Sequence, residues 1–277
     1  MQPSDVLRRA AAYLDRHEVE SPLANAELLL GSVLGLDRSG LYRRKEGLST
    51  AEAKLFGRAL CRRCVGTPLQ HITGEQGFRR LTLEVRPGVF VPRPETETVV
   101  EVGLATIRDV DAPTVVDLGT GSGAIALAIA DEHPGAKVIA VDRSPEAIRL
   151  ARANAERLGL VIATIEGDLW HAVPSELKAS IDLAIANPPY LEPSAHEGLP
   201  PDVRADPHAA LIGGMAVLRP LVMEAPHWLR SGGALVTEIG DSQGPEAAAL
   251  AEEAGFVDVV VHQDLTGRDR AVSGRNS

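Results

Sequence analysis

The sequence predicts an α/β protein, a doubly wound and mainly parallel sheet preceded by a small helical bundle. Three observations carry this expectation. From Thr114 onward, short β-rich runs alternate with helical stretches, the arrangement that buries a parallel sheet between helices. The first run, Thr114–Leu118, ends in the glycine-rich turn Gly119-Thr120-Gly121-Ser122-Gly123, where a tight turn needs residues without a Cβ. Residues 1–65 read as helical throughout.

In chain order, Leu7, Ala10, Ala11 and Leu14 fall at helical spacing. A second helix is predicted from Pro22 to about Leu34, with Ser21 as its N-cap. A third starts at Ser49, where Ser49-Thr50-Ala51-Glu52 fits a capping box, and carries Ala53, Phe56, Leu60 and Cys64 on one face. Gly66-Thr67-Pro68 stops it. Residues 69–91 alternate like strands, with Leu81, Leu83 and Val85 on one face, and predict a hairpin linker. A helix from Glu95 to Ile107 opens the second domain. Then come the strand Thr114–Leu118, a helix over Ala124–Ala130 and the strand Lys137–Val141. Ser144-Pro145-Glu146 caps the next helix, and Val161–Glu166, Ile181–Ala186 and Ala234–Ile239 are further strands. The expected domains are 1–65 (helical), 66–92 (linker) and 93–277 (sheet). Residues 190–213 form a long connection containing Pro193, Pro200, Pro201 and Pro207; a loop of that length inside a compact domain is usually functional.

Composition narrows the class. The chain has 277 residues, 44% hydrophobic and 24% charged, which is ordinary globular usage and argues against wholesale disorder. It carries no apolar run near the ~20 residues that span a bilayer. The amphipathic N-terminus lacks the apolar core of a signal peptide, and two cysteines cannot staple a chain this long. A soluble, cytoplasmic protein is expected. The net charge of −10 is uneven. Residues 1–85 hold 13 basic against 10 acidic residues, net +3, and residues 86–277 hold 15 against 28, net −13. The acidic part disfavours a nucleic-acid phosphate backbone as partner.

The glycine turn fits G-x-G-x-x-G/A, and Asp142 follows at the end of the second strand, 19 residues after Gly123. A carboxylate there can accept both hydroxyls of a ribose, so the pair points to a ribose-bearing cofactor. Asp117, two residues before Gly119, suits the ammonium of a methionyl group and offers little to a pyrophosphate. After the third strand comes Gly167-Asp168-Leu169-Trp170. Asp168 either takes an adenine amino group, with the next side chains flanking the ring, or caps a helix; Trp170 either flanks the ring or is core.

The fourth strand runs into Asn187-Pro188-Pro189-Tyr190. Two prolines fix an extended backbone and remove two N–H donors, which leaves the Pro188 carbonyl free to accept. Asn187 adds a side-chain oxygen. Two acceptors side by side suit one planar NH2 group, on whose flat face Tyr190 can stack.

Together, the glycine turn, the acidic residue after strand two and Asn-Pro-Pro-Tyr after strand four resemble the class I S-adenosylmethionine-dependent amino-methyltransferases. The likeness extends to Gly66-Thr67-Pro68-Leu69-Gln70-His71-Ile72-Thr73-Gly74 and Val91-Pro92-Arg93-Pro94-Glu95-Thr96-Glu97. It takes in Glu238-Ile239-Gly240 with Gln243, and Thr266-Gly267-Arg268-Asp269-Arg270. On these residues the chain resembles the release-factor glutamine methyltransferases (the PrmC/HemK family) over essentially its whole length. The resemblance implies a seven-stranded Rossmann-like sheet and an N-terminal domain that recognises the substrate. It implies methyl transfer from S-adenosyl-L-methionine to the side-chain amide nitrogen (N5) of the glutamine in the Gly-Gly-Gln motif of class I peptide-chain release factors. Asp117, Leu118, Gly119, Thr120, Gly121, Asp142, Asp168, Leu169 and Asn187 would hold the cofactor. Asn187, Pro188, Pro189 and Tyr190 would hold the glutamine, with Asn187, Pro188 and Tyr190 acting in the reaction. The expected partner is the release factor, met by a monomer, with no metal and no direct nucleic-acid or membrane contact.

Other features have two readings. Arg93 either binds substrate or a cofactor carboxylate, or holds the linker through Glu95 or Glu97. Phe90 either covers the methionyl end of the cofactor or is linker core. Cys61-Arg62-Arg63-Cys64 is one pair inside a helix, where zinc asks for about four ligands. Arg43, Arg44, Lys45, Arg58, Arg62 and Arg63 form a basic face that either docks the release factor or is merely solvated. His208 is expected in plain loop. The rival functions are a glutamine methyltransferase of a ribosomal protein, a DNA amino-methyltransferase, which would need a positive cleft, and an NAD-dependent oxidoreductase, which leaves Asn-Pro-Pro-Tyr unexplained.

Overall fold

The computed structural model describes residues 3–199 and 203–277, so Pro200 and Pro201 of the long connection lie outside the described residues. The chain divides into two compact units. One runs to Glu75, with residues 203–205; the other covers the rest, from Gln76 to Ser277.

The first unit holds α1 (Pro3–Asp15), α2 (Pro22–Leu34), α3 (Arg38–Arg43), α4 (Thr50–Cys64) and α5 (Leu69–Thr73). Leu7, Leu14, Leu29, Leu30, Leu41 and Phe56 make its core. The capping box at α4 is complete: Glu52 N donates to Ser49 Oγ at 3.2 Å, and Ser49 N donates to Glu52 Oε2 at 2.6 Å. Three expectations change. Ser21 sits in the left-handed region with no side-chain cap; Asn25 Nδ2 instead donates to the Glu20 and Ser21 carbonyls at 2.9 and 3.2 Å. Residues 69–73, expected to be extended, make one helical turn bracketed by Pro68 and the left-handed Gly74. Ala53 is exposed, and Ala59 joins Phe56 on the buried face of α4.

The second unit opens on the predicted hairpin, β1 (Glu75–Phe78) and β2 (Leu81–Glu84). There follow α6 (Thr96–Ile107), β3 (Thr114–Leu118), α7 (Ala124–Glu132), β4 (Lys137–Asp142) and α8 (Pro145–Leu158). Next are β5 (Ala163–Glu166), β6 (Ile181–Ala186), α9 (His208–Leu211) and α10 (Met215–Glu224). The chain closes with β7 (Leu229–Glu238), α11 (Gly244–Glu253), β8 (Phe256–Gln263) and β9 (Asp269–Asn276). His208 thus begins a short helix instead of lying in loop. The seven-stranded sheet has the order β5-β4-β3-β6-β7-β9-β8. Its strands are parallel except β9, which runs antiparallel between β7 and β8.

The apolar runs are continuous because the central strands are covered on both faces. Val115, Leu183 and Ile185 enter one core with α6 and α7. Their neighbours Val116, Ala184 and Ala186 enter the other with α10 and α11. The hairpin is fastened to this body by the buried Asn154 of α8. Its Oδ1 accepts from Glu84 N at 2.7 Å, and its Nδ2 donates to the Glu84 and Ser122 carbonyls at 3.0 Å. Among the described residues no helix is long and apolar enough to cross a membrane.

Candidate active site

The chain winds outward from β3 to β4 and β5, then returns to place β6 on the other side of β3. A crevice opens at the carboxyl ends of strands where the winding reverses. Here those ends are the glycine turn after β3 and Asn187 after β6; a Cβ on Gly119 would lie 4.0 Å from the Asn187 carbonyl.

The glycine turn is built for close backbone approach. Gly119, Gly121 and Gly123 all have positive φ, and the Gly119 and Thr120 N–H groups donate to the Val141 carbonyl at 2.8 and 2.9 Å. The last two glycines differ in kind. A Cβ on Gly123 would press on Leu127 and Ala151, at 3.1 and 3.2 Å, so that glycine packs α7 against α8; a Cβ on Gly121 would meet nothing within 4 Å.

Asp117 is fully buried. Its Oδ2 accepts from Thr120 Oγ1 at 2.6 Å and Ala126 N at 3.2 Å, while Oδ1 has no partner among the described residues. Burial pushes its carboxyl up to about 7, against those two hydrogen bonds and with a small further rise from Asp142. Asp142 is expected as a ribose acceptor; each of its oxygens already accepts one backbone N–H, from Gly121 and from Ser144, both at 2.8 Å. These bonds fix the carboxylate plane and leave one lone pair on each oxygen. Asp168 is exposed at the start of a 3-10 turn over Leu169–Ala172 and makes no side-chain cap. Leu169 beside it is held at φ 41°, an uncommon conformation for a leucine. Trp170 is core: its Nε1 donates to the Leu221 carbonyl at 2.8 Å and its ring stacks on Trp228.

The reaction loop is held from three sides. Asn187 Nδ2 donates to Thr96 Oγ1 at 3.0 Å, and no donor among the described residues reaches its Oδ1. Gln243 Nε2 donates to the Tyr190 carbonyl at 3.0 Å and takes the Gly240 N–H on its own oxygen at 2.8 Å. Gly213 lies so close that a Cβ would stand 2.5 Å from the Pro189 carbonyl. No hydrogen bond reaches the Pro188 carbonyl from the described residues. Behind the loop is the buried Glu238, whose Oε2 has no partner among the described residues. Burial pushes its carboxyl up to about 7, while the Thr96 hydroxyl, the Arg270 guanidinium and the Tyr190 hydroxyl pull it back. Burial also pushes the Tyr190 phenol up, so Tyr190 stays neutral.

Arg93 does hold the linker segment, but through a different acid. It pairs with the buried Asp206, which also accepts the Val91 N–H at 3.2 Å. The guanidinium lies over the half-buried Phe90 ring, 5.2 Å from its centroid. Sequence reasoning missed Thr96, Asn154, Asp206 and the site of Glu238. One signal was available: a carboxylate ending the apolar run of β7, Ala-Leu-Val-Thr-Glu, is out of place unless it has work there.

A sheet of this order, with a glycine turn after its first strand and Asn-Pro-Pro-Tyr after its fourth, defines the class: a Rossmann-like S-adenosylmethionine-dependent methyltransferase. Family descriptions agree. Residues 5–74 match the PrmC N-terminal domain and residues 80–199 the methyltransferase small domain. A "Release factor glutamine methyltransferase" of Deinococcus radiodurans is 42% identical over 284 residues, covering 100% of this chain and 99% of the relative. One of Moorella thermoacetica is 41% identical, covering 96% and 94%. The chain belongs to the release factor glutamine methyltransferase family. Among solved structures, the ribosomal protein L11 methylase of Lactobacillus delbrueckii subsp. bulgaricus is 25% identical, with TM-score 0.50, over 70% of this chain and 84% of its own. The 16S rRNA N2 G1207 methyltransferase of T. thermophilus, solved with AdoMet and guanosine, is 20% identical, covers 73% of this chain and 50% of its own at TM-score 0.55, and shares the fold.

Proposed function

We propose that this protein transfers a methyl group from S-adenosyl-L-methionine to the N5 amide nitrogen of the glutamine in the Gly-Gly-Gln motif of class I release factors. The observation that carries the reading is the Asn187 amide, whose nitrogen is engaged by Thr96 while no donor among the described residues reaches its oxygen or the Pro188 carbonyl.

The residues present fit the cofactor. Two buried polar atoms, Asp117 Oδ1 near the end of β3 and Ser122 Oγ in the glycine turn, lack partners among the described residues. An unpaired buried carboxylate oxygen is costly, and a cationic ammonium relieves that cost. Gly121 leaves its ligand side open, Asp142 keeps a lone pair on each oxygen for ribose hydroxyls, and Asp168 remains exposed for an adenine amino group. Leu118, Gly119, Thr120 and Leu169 line the same strand ends. Bound there, S-adenosylmethionine supplies an electrophilic methyl on a sulfonium.

The remaining chemistry belongs to the protein. An amide nitrogen is a poor nucleophile because its lone pair is delocalised. Asn187 Oδ1 and the Pro188 carbonyl accept its two N–H bonds and aim the lone pair, while Tyr190 covers the flat face and Pro189 stiffens the turn. Orientation and electrostatics supply the rate. The same two oxygens stabilise the positive charge growing on nitrogen, and the proton leaves after transfer.

The helical unit is assigned to substrate recognition by a monomer. Within it Arg44 pairs with Glu52, Arg62 donates to the His71 carbonyl and Arg63 donates to Asn25. Exposed Arg43, Lys45 and Arg58 are left for docking. The test is incubation with labelled S-adenosylmethionine and a purified release factor, beside a factor whose Gly-Gly-Gln glutamine is substituted. Label on the unaltered factor alone is expected; label on both, or on neither, overturns the assignment.

A further inference from the structure

We propose that Gln243 is a positioning residue that, together with Gly240, sets the tilt of the Tyr190 ring. This deepens the reading above and rests on it, since that ring is the group assigned to cover the flat face of the glutamine amide.

The reaction loop has little means of fixing itself. Pro188 and Pro189 have no N–H to donate. Among the described residues the main chain from Pro188 to Tyr190 makes one hydrogen bond, from Gln243 Nε2 to the Tyr190 carbonyl at 3.0 Å. The peptide group joining Tyr190 to Leu191 is thereby held at both edges. Its N–H donates to the Leu211 carbonyl at 3.1 Å, and its oxygen accepts from Gln243. The first edge rests on main chain, the second on a single side chain. Without the Gln243 donor the planar peptide keeps one bond and can rotate about it, and the ring turns with it.

Gln243 itself has a fixed polarity. It is the residue before α11, and its own N–H donates to the Gly240 carbonyl at 3.0 Å, which closes the turn over 240–243. Its Oε1 accepts the Gly240 N–H at 2.8 Å. Turning the amide over would set NH2 against that N–H and oxygen against the Tyr190 carbonyl, so the two backbone groups admit one orientation. The same turn meets the ring. A Cβ on Gly240 would stand 3.1 Å from Gln243 Oε1 and 3.6 Å from Tyr190 Cδ2, so the amide and the ring edge share the open side of this glycine. Carbonyl and ring of Tyr190 are both referred to the turn after β7, the strand beside β6. A ring tilted off the amide plane costs orientation in the transition state more than it costs binding of a protein-sized substrate.

The test compares the wild type with Gln243→Glu and Gly240→Ala. Gln243→Glu keeps an acceptor for the Gly240 N–H and puts a carboxylate at the N-terminus of α11, where negative charge is favourable; what it removes is the donor to Tyr190. Its kcat for release-factor methylation should fall roughly 10- to 100-fold, with KM and cofactor affinity changed less. A kcat equal to wild type, or a loss carried by KM alone, overturns the proposal. A second readout needs no turnover. The chain has three tyrosines, Tyr13, Tyr42 and Tyr190; labelled with fluorotyrosine, each gives a fluorine resonance, and Tyr190→Phe identifies that of Tyr190. It should shift in Gln243→Glu and in Gly240→Ala, whose added Cβ presses on the Gln243 amide, while the Tyr13 and Tyr42 resonances of the helical unit stay in place. Should Gln243→Glu not fold, Gly240→Ala decides alone. A Tyr190 resonance that stays in place in either folded variant, or all of the resonances moving together, overturns the positioning role, whatever the protein methylates. An inert wild type whose Tyr190 resonance shifts in the variants overturns the assigned function and leaves the positioning role standing.

Discussion

Asn187 can serve as an acceptor because its nitrogen already has a partner 91 positions earlier in the chain, Thr96. The motif itself was readable: Asn, two prolines and an aromatic at a strand end point to an NH2 group without any coordinates. The partner was not, because only the packing of α6 beside β6 brings Thr96 near. Asn187→Ala should therefore cut turnover by about 10²-fold or more, while cofactor affinity falls much less. Calorimetry alongside turnover checks this, and equal turnover would remove the orienting role. Asp117 gives a second prediction. Its carboxyl holds a proton up to about 7 when no ligand is bound, and a bound ammonium favours the ionised form. Cofactor affinity should then rise as pH increases through about 7 and level above it. Asp117→Asn should bind more weakly, with a flat pH profile; a rise that persists in this variant contradicts the pairing.

The strand that carries Asp117, the strand before Asn187 and the capping box of α4 followed from spacing alone, since each reports a local rule: apolar runs for doubly covered strands, Ser-x-x-Glu for a helix start. What was missed obeys no such rule. β8 is the edge strand and β9 its inner neighbour; they read as Phe-Val-Asp-Val-Val-Val-His-Gln and Asp-Arg-Ala-Val-Ser-Gly-Arg-Asn, without the continuous apolar signature of the central strands. β9 matters for class, because an antiparallel strand inserted beside β7 departs from the all-parallel order of dinucleotide-binding sheets. The Gly213 contact is equally invisible in sequence. Its neighbour is the Pro189 backbone, with Val217 also close, so Gly213→Ala must move the reaction loop. It should destabilise the protein by about 1–3 kcal/mol and lower kcat. Thermal melting and turnover measure both, and an unchanged kcat would separate this loop contact from the chemistry.

For the whole chain, the charge division proves informative. The region from 86 onward, net −13, contains the crevice at the strand ends, and its acidic excess is unfavourable for a nucleic-acid backbone. The basic excess lies before residue 86, and there Arg44, Arg62 and Arg63 of the six candidate cations are engaged by hydrogen bonds, which leaves the exposed Arg43, Lys45 and Arg58. Charge-assisted docking through them predicts that release-factor affinity falls as salt rises, and that substituting all three with glutamine flattens the dependence. A flat response in the wild type would reject docking through charge. The central claim, that the crevice presents Asn187 and Pro188 to the amide of one particular glutamine, is settled by tandem mass spectrometry of the Gly-Gly-Gln peptide. The release factor would be treated with S-adenosylmethionine and either the wild type or Asn187→Ala. A single methyl on the glutamine side-chain nitrogen is expected with the wild type and almost none with the variant. A methyl on any other atom, or equal methylation by both, would contradict the account.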